Sequence, residues 1–202
     1  MHLLEVDNLG MQFSGQALFR GLSFAYGAGV VALMGENGAG KSTLLSLLAG
    51  VHPPQEGRIA VGGHDLATQP QAARGQLAWV PDESVAYEFM TGKEFLQMVL
   101  ALRGQASAPA LPLMVEGFGL REHTGKRFGE MSLGTRKKFM LASALASDAA
   151  VVLMDEPTNG IDAAAKAFLL GCFRQEREHR LFFFSTHDQE AVAQSGAKVL
   201  TL

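Results

Sequence analysis

Apolar and polar residues alternate at the start of the chain, where Leu4, Val6, Leu9, Met11 and Phe13 stand among polar positions. This is the period of an antiparallel strand with one wet face. Residues 18–26 continue in the same style, and Gly27-Ala28-Gly29 reads as a turn. The pattern then changes. Val30-Val31-Ala32-Leu33-Met34 is apolar throughout, as a strand buried on both faces must be. Leu77–Val80, Val151–Met154 and Leu181–Ser185 are further short runs of this kind, with two more strands expected over 58–61 and 198–202. Helical stretches lie between them: 42–48, closed by Gly50 and Pro53-Pro54, then 133–146, 163–178 and 189–194.

Between Asp82 and Glu130 the character is different. Apolar residues recur at helical spacing (Phe95, Val99, Leu102; Met114, Phe118), and an Ala- and Pro-rich loop over 107–112 interrupts them. The expected fold class is α/β. It has a mainly parallel sheet, antiparallel strands at the N-terminus, and an inserted helical subdomain over 82–130 within a core of 1–81 and 131–202.

Composition narrows the function classes. The 202 residues suit one domain with an insertion. With 48% hydrophobic and 18% charged residues the chain can bury an ordinary core. A net charge of −3 and a pI near 6.1 are the opposite of a nucleic-acid footprint, so no nucleic-acid partner is expected. The single cysteine, Cys172, cannot form an internal disulfide, which suits the reducing cytosol. Met1 to Leu4 run straight into a strand, so no secretory leader is expected, and no run approaches the roughly 20 apolar residues of a membrane span. A role at a membrane would need spans borrowed from another chain.

One segment carries specific chemistry. Gly35-Glu36-Asn37-Gly38-Ala39-Gly40-Lys41-Ser42 matches G-x-x-x-x-G-K-[ST] in full, between a buried strand and a helix. Glycines let the backbone curl around an anion, so that its N–H groups and the next helix's positive end face phosphates. Lys41 would reach the β- and γ-phosphates, and Ser42, followed by Thr43, would give a hydroxyl to Mg²⁺. A second segment, Val151 to Glu156, ends an apolar strand in two adjacent carboxylates. Asp155 suits a Mg²⁺ water shell and Glu156 a general base for the attacking water.

Taken in order along the chain, these residues resemble the nucleotide-binding domains of ABC transporters, with a P-loop NTPase core. Two more segments carry the resemblance. Met131-Ser132-Leu133-Gly134-Thr135-Arg136-Lys137-Lys138 resembles the family's signature sequence opening a helix, and Ser185-Thr186-His187 its switch histidine. The resemblance implies that ATP is sandwiched between the phosphate loop of one domain and Ser132 and Gly134 of a second, docked head to tail. That second domain would be a copy of this chain or a sister chain. It also implies that His187 contacts the γ-phosphate and that Asn159-Gly160-Ile161-Asp162 forms the loop coupling the two sites. The partner would be a polytopic membrane subunit, and the location the inner face of the cell membrane. Phe13 has two readings, an adenine-stacking ring or a core phenylalanine.

The chain departs from the family at three places. Val80-Pro81-Asp82 puts Asp82 where a Mg²⁺-contacting glutamine is usual, so Asp82 joins Ser42 and Asp155 as an expected metal ligand. Leu133 and Thr135 replace a glycine and a glutamine, a form that resembles separate-chain exporter ATPases. The region 83–94, with Tyr87, Phe89 and Met90, is either a docking face for the membrane subunit or ordinary packing. The chain ends right after its last strand, so no regulatory domain beyond it is expected. Lys41, Ser42, Asp155, Glu156 and His187 together favour hydrolysis over a non-hydrolytic ATP sensor. A small-molecule kinase would not need the signature, and a DNA-repair or translation ATPase would carry a larger insertion or a second phosphate loop.

Overall fold

The structure, a computed structural model, describes residues 1–13, 16–83, 86–104 and 108–202. Two sheets organise it. The strands β1 (Leu4–Phe13), β2 (Gln16–Tyr26), β4 (Glu56–Val61) and β5 (His64–Asp65) form an antiparallel sheet in the order β2-β1-β4-β5. The strands β3 (Gly29–Met34), β6 (Leu77–Val80), β7 (Val151–Met154), β8 (Leu181–Ser185) and β9 (Lys198–Thr201) form a parallel sheet in the order β6-β7-β8-β3-β9.

The apolar strands explain the layering. Successive side chains of a strand point to opposite faces. In β8, Phe182 and Phe184 therefore join one core with the helices, while Leu181 and Phe183 join another beneath the antiparallel sheet. In β7, Val152 and Met154 divide from Val151 and Leu153 in the same way. Each strand is buried on both sides, which is why its sequence shows no alternation.

The broken beat in β1 has a cause as well. Val6 and Leu9 are three residues apart, and the pairing with β2 shifts register between them. Asn8, at φ +51°, takes up the extra residue, so Leu4, Val6 and Leu9 all reach the core.

Helix α1 (Lys41–Leu48) follows β3, and α2 (Pro70–Gly75) precedes β6. Neither α2 nor the two-residue β5 was expected from the sequence, since both are too short for a periodic signal. Between β6 and α5 (Leu133–Ala146) lie α3 (Gly92–Leu102), α4 (Leu111–Gly117) and two short 3-10 turns. The remaining helices are α6 (Ala163–Glu176) and α7 (Gln189–Ser195).

The inserted helices correct two expectations. The buried face of α3 carries Phe95, Leu96 and Leu100, whereas Leu102 is 80% exposed. The apolar residues of α3 cover more than one face, and the phase is chosen by α5: a Cβ on Gly92 would lie 2.3 Å from the Phe139 ring. The loop expected over 107–112 is shorter than thought. Helix α4 begins at Leu111 with a proline in its first turn, where the missing N–H costs nothing, and Ser107 lies outside the described residues. The rings of Phe95, Phe128 and Phe139 pack at 5.0 and 5.7 Å, so the inserted helices share one core with the parallel sheet.

Candidate functional site

Three neighbouring strands, β7, β8 and β3, end on the same side of the parallel sheet. Their C-terminal ends form one wall of an open cavity of about 470 Å³. From β3 come Asn37, Gly38, Gly40, Lys41, Ser42 and Thr43; from β7, Asp155 and Glu156; from β8, His187. Ligands of open α/β sheets sit at such strand ends because the loops and helix N-termini converge there.

The phosphate loop has the backbone its glycines permit. Gly38 and Gly40 lie at φ +83° and +95°, values a side chain adopts only with strain. Gly40 is also crowded, since a Cβ there would meet the Phe19 ring at 3.0 Å. Gly40 caps α1 without a side-chain hydrogen bond, so the helix's first N–H groups await an acceptor. Gly35 and Ala39 complete the turn. Lys41 is buried, and its Nζ donates to the carbonyls of Gly35 (2.9 Å) and Glu36 (3.1 Å). The ammonium is thereby held over the loop's opening.

The carboxylates are set by one buried hydroxyl. Ser185, fully buried at the end of β8, donates to Asp155 Oδ1 at 2.5 Å and accepts the Glu156 N–H at 2.8 Å. Glu156 sits at φ +44°, a left-handed backbone that costs a residue with a Cβ about 1–2 kcal/mol. The Ser185 bond helps hold it there and aims consecutive carboxylates differently. Asp155 is buried, while Glu156 keeps 12% of its side chain exposed in the cavity. Burial raises the Glu156 carboxyl above its ordinary range, with His187 opposing the rise and Asp155 adding to it. His187 Nε2 is 3.3 Å from Glu156 Oε1. The pair makes no hydrogen bond, and Oε1 is a buried acceptor with no hydrogen-bond partner among the described residues. A carboxylate so placed can take a proton from a water held between it and the histidine.

The hard-oxygen donors on this wall, the hydroxyl of exposed Ser42 and the carboxylate of Asp155, are the kind Mg²⁺ takes when phosphates supply its other ligands. Asp82 lines the same cavity, but its Oδ1 accepts from Lys137 Nζ at 2.8 Å.

The signature lies elsewhere. Ser132 caps α5 by accepting from the Thr135 N–H at 3.2 Å, and neither Ser132 nor Gly134 lines the cavity. Gly134 packs on the loop after β7: a Cβ there would lie 2.1 Å from the Gly160 carbonyl oxygen. Phe13 ends β1, and its side chain lies outside the described residues. Tyr87 and Phe89 are 61% and 71% exposed, their rings stacked at 5.4 Å. Cys172 is buried, and burial pushes its thiol up to about 11.

The roles of two residues escaped the sequence reading. Ser185 is a hydroxyl closing a buried phenylalanine run, and it must find partners. Lys137 is a lysine on the face of α5 that also carries Met140, Leu141 and Ala144, all buried. Each was legible as a polar residue at an apolar position, but its partners come from other strands.

A family model described as ABC transporter matches residues 19–159, well over half of the chain, and the chain belongs to that family as an ATP-binding ATPase domain. It is 34% identical over 168 residues to the ABC transporter ATP-binding protein NatA of Bacillus subtilis, covering 81% of this chain and 68% of that protein. It is also 31% identical over 173 residues to the human retinal-specific phospholipid-transporting ATPase ABCA4, covering 84% of this chain but 8% of that protein. The chain thus spans less than a tenth of that human relative. Among solved structures, an ATP-binding subunit of an ABC transporter superposes with TM-score 0.92 and 29% identity, covering 99% of this chain and 85% of that one. A putative ABC transporter ATP-binding protein from Pyrococcus furiosus shares the fold, with TM-score 0.77 and 23% identity. Among the described residues, no helix is long and apolar enough to cross a membrane.

Proposed function

We propose that this chain is the ATP-hydrolysing motor of an export transporter, working as a head-to-tail pair of nucleotide-binding domains on a separate membrane subunit at the cytoplasmic face. The observation that carries the reading is the convergence of Lys41, Asp155, Glu156 and His187 on one cavity from three strand ends. The loop N–H groups and Lys41 bind the ATP phosphates. Ser42 and Asp155 would hold Mg²⁺, and bound Mg²⁺ would neutralise charge on the phosphate oxygens. Glu156 takes the proton of the attacking water, and its burial-raised carboxyl is tuned toward that task. His187 orients that water and the γ-phosphate.

The pairing is supported by what the cavity lacks from its own chain. Ser132 and Gly134 open a 14-residue helix away from the cavity, so a second domain, a copy or a sister chain, supplies them to the phosphates. The exposed Tyr87–Phe89 stack, beside Glu83 and Glu88, is the face proposed for the membrane subunit. The relatives NatA and ABCA4 are named as transporter proteins, and the serine-leucine-glycine signature favours export.

The test is co-purification of the tagged chain from native membranes in mild detergent, with and without Glu156→Gln. The reading expects a stoichiometric polytopic membrane protein and ATPase activity lost at least ~100-fold in the variant, which accumulates as an ATP-bound pair. Recovery of soluble partners alone, or normal turnover by Glu156→Gln, would remove the transporter role or the assigned base respectively.

A further inference from the structure

Three carboxylates, Asp82, Asp155 and Glu156, border the cavity, against one ammonium that lines it, Lys41. Nucleotide phosphates would add more negative charge to this wall. The charge balance is altered by a residue behind it. Lys137 stands on the second turn of α5 with 6% of its side chain exposed. Its Nζ donates to Asp82 Oδ1 (2.8 Å), to the Asp82 carbonyl (3.3 Å) and to the Asp155 carbonyl (3.0 Å). An ammonium has three N–H donors, and all three are used.

These bonds reach three elements at once. Asp82 follows β6, Asp155 follows β7, and Lys137 belongs to the helix that the signature opens. The two carbonyl bonds are structural, since they satisfy backbone groups at adjacent strand ends. The carboxylate bond is different. Asp82 is 56% exposed in its side chain and needs no partner to fold. What the pair changes is the field in the cavity: an unpaired Asp82 would face the phosphates as a bare negative charge in a partly dry site.

We propose that Lys137 is a positioning residue that neutralises Asp82 at the edge of the nucleotide cavity and fixes its carboxylate as an oriented acceptor. The inference rests on the ATP-binding reading of the cavity. It separates two consequences of losing Lys137. The lost carbonyl bonds weaken the fold whatever stands at 82. The loss of nucleotide affinity comes from the freed carboxylate and disappears when that charge is removed too.

The experiment titrates MgATP, read with a fluorescent ATP analogue at low salt, into wild type, Lys137→Met, Asp82→Asn and the double variant. Urea unfolding midpoints of the nucleotide-free proteins are measured in parallel. Lys137→Met is expected to bind about tenfold more weakly. Adding Asp82→Asn should restore affinity to within about threefold of wild type, while the unfolding midpoint stays low. Should Lys137→Met not fold, Lys137→Gln, which keeps a donor, takes its place in the same cycle. Wild-type binding with a double variant no tighter than the lysine variant alone, or no loss in the lysine variant, would overturn the proposal only. Failure of the wild-type chain to bind MgATP would overturn the nucleotide reading and this proposal with it.

Discussion

The cavity wall and the start of α5 both present a helix N-terminus, yet they are finished to different degrees. On the wall, Lys41 and Asp155 are buried and three residues are anchored within the chain: Lys41 by loop carbonyls, Asp155 and Glu156 by Ser185. At the helix start, Ser132 satisfies only its own helix and the neighbouring Leu133 is 78% exposed. The wall is organised by bonds within the chain, whereas the helix start is exposed. This difference supports the proposed head-to-tail pair, in which the two regions would be halves of different composite sites.

The sharpest way to break that comparison is Leu133→Asp. A carboxylate in the first turn suits the helix dipole, so folding should change by no more than about 0.5 kcal/mol. It would nevertheless set a negative charge against the phosphates of a facing domain. Turnover and ATP-dependent pairing are expected to fall about tenfold or more, with ATP affinity of the isolated chain unchanged. Size-exclusion chromatography and steady-state ATPase assays read both effects; loss of ATP binding in the isolated chain would show that the two halves are not separate.

Ser185→Ala tests the finished half. It orphans the half-buried Glu156 N–H and takes a donor from buried Asp155, at a cost of about 1–3 kcal/mol. Turnover should drop more than ATP affinity, because the base is displaced while the loop and Lys41 remain. Unchanged kcat with a normal unfolding midpoint would leave Ser185 without a role.

The smallest effect lies away from both regions. In the antiparallel sheet, the Arg58 guanidinium holds the Asp65 carboxyl at about 2 against an ordinary 3.8, helped by the Thr68 and Ala67 N–H groups. A carboxyl depressed on folding stabilises the fold above its unfolded value, and that support fades as pH falls from about 4 to about 2. Asp65→Asn should flatten the acid limb of an unfolding profile in that window, without touching nucleotide binding at neutral pH.

Much of the molecule could be read from the chain. Strands β7 and β8 and helix α5 stand where the apolar runs and the Ser132 cap put them. The expected helix from 163 ends at Glu176 rather than 178, an ordinary fraying difference at a polar end. The phase of α3 was misread because Leu, Met and Val fall on several of its faces, and only Phe139 of α5 selects among them.

The sequence by itself determined the strand order of events: a phosphate loop after one buried strand, paired carboxylates after a second, a histidine after a third. These are local facts, carried by period, glycine freedom and residue chemistry within a few positions. Only the tertiary structure decided that those three strands are neighbours and that Ser185 ties the Asp155 carboxylate to the Glu156 backbone N–H. It also decided that Lys137 is the partner of Asp82, and that Ser132 and Gly134 do not line the cavity. Hydrogen bonds between residues 29, 30 or 55 positions apart depend on how sheets and helices stack. No local pattern encodes that stacking.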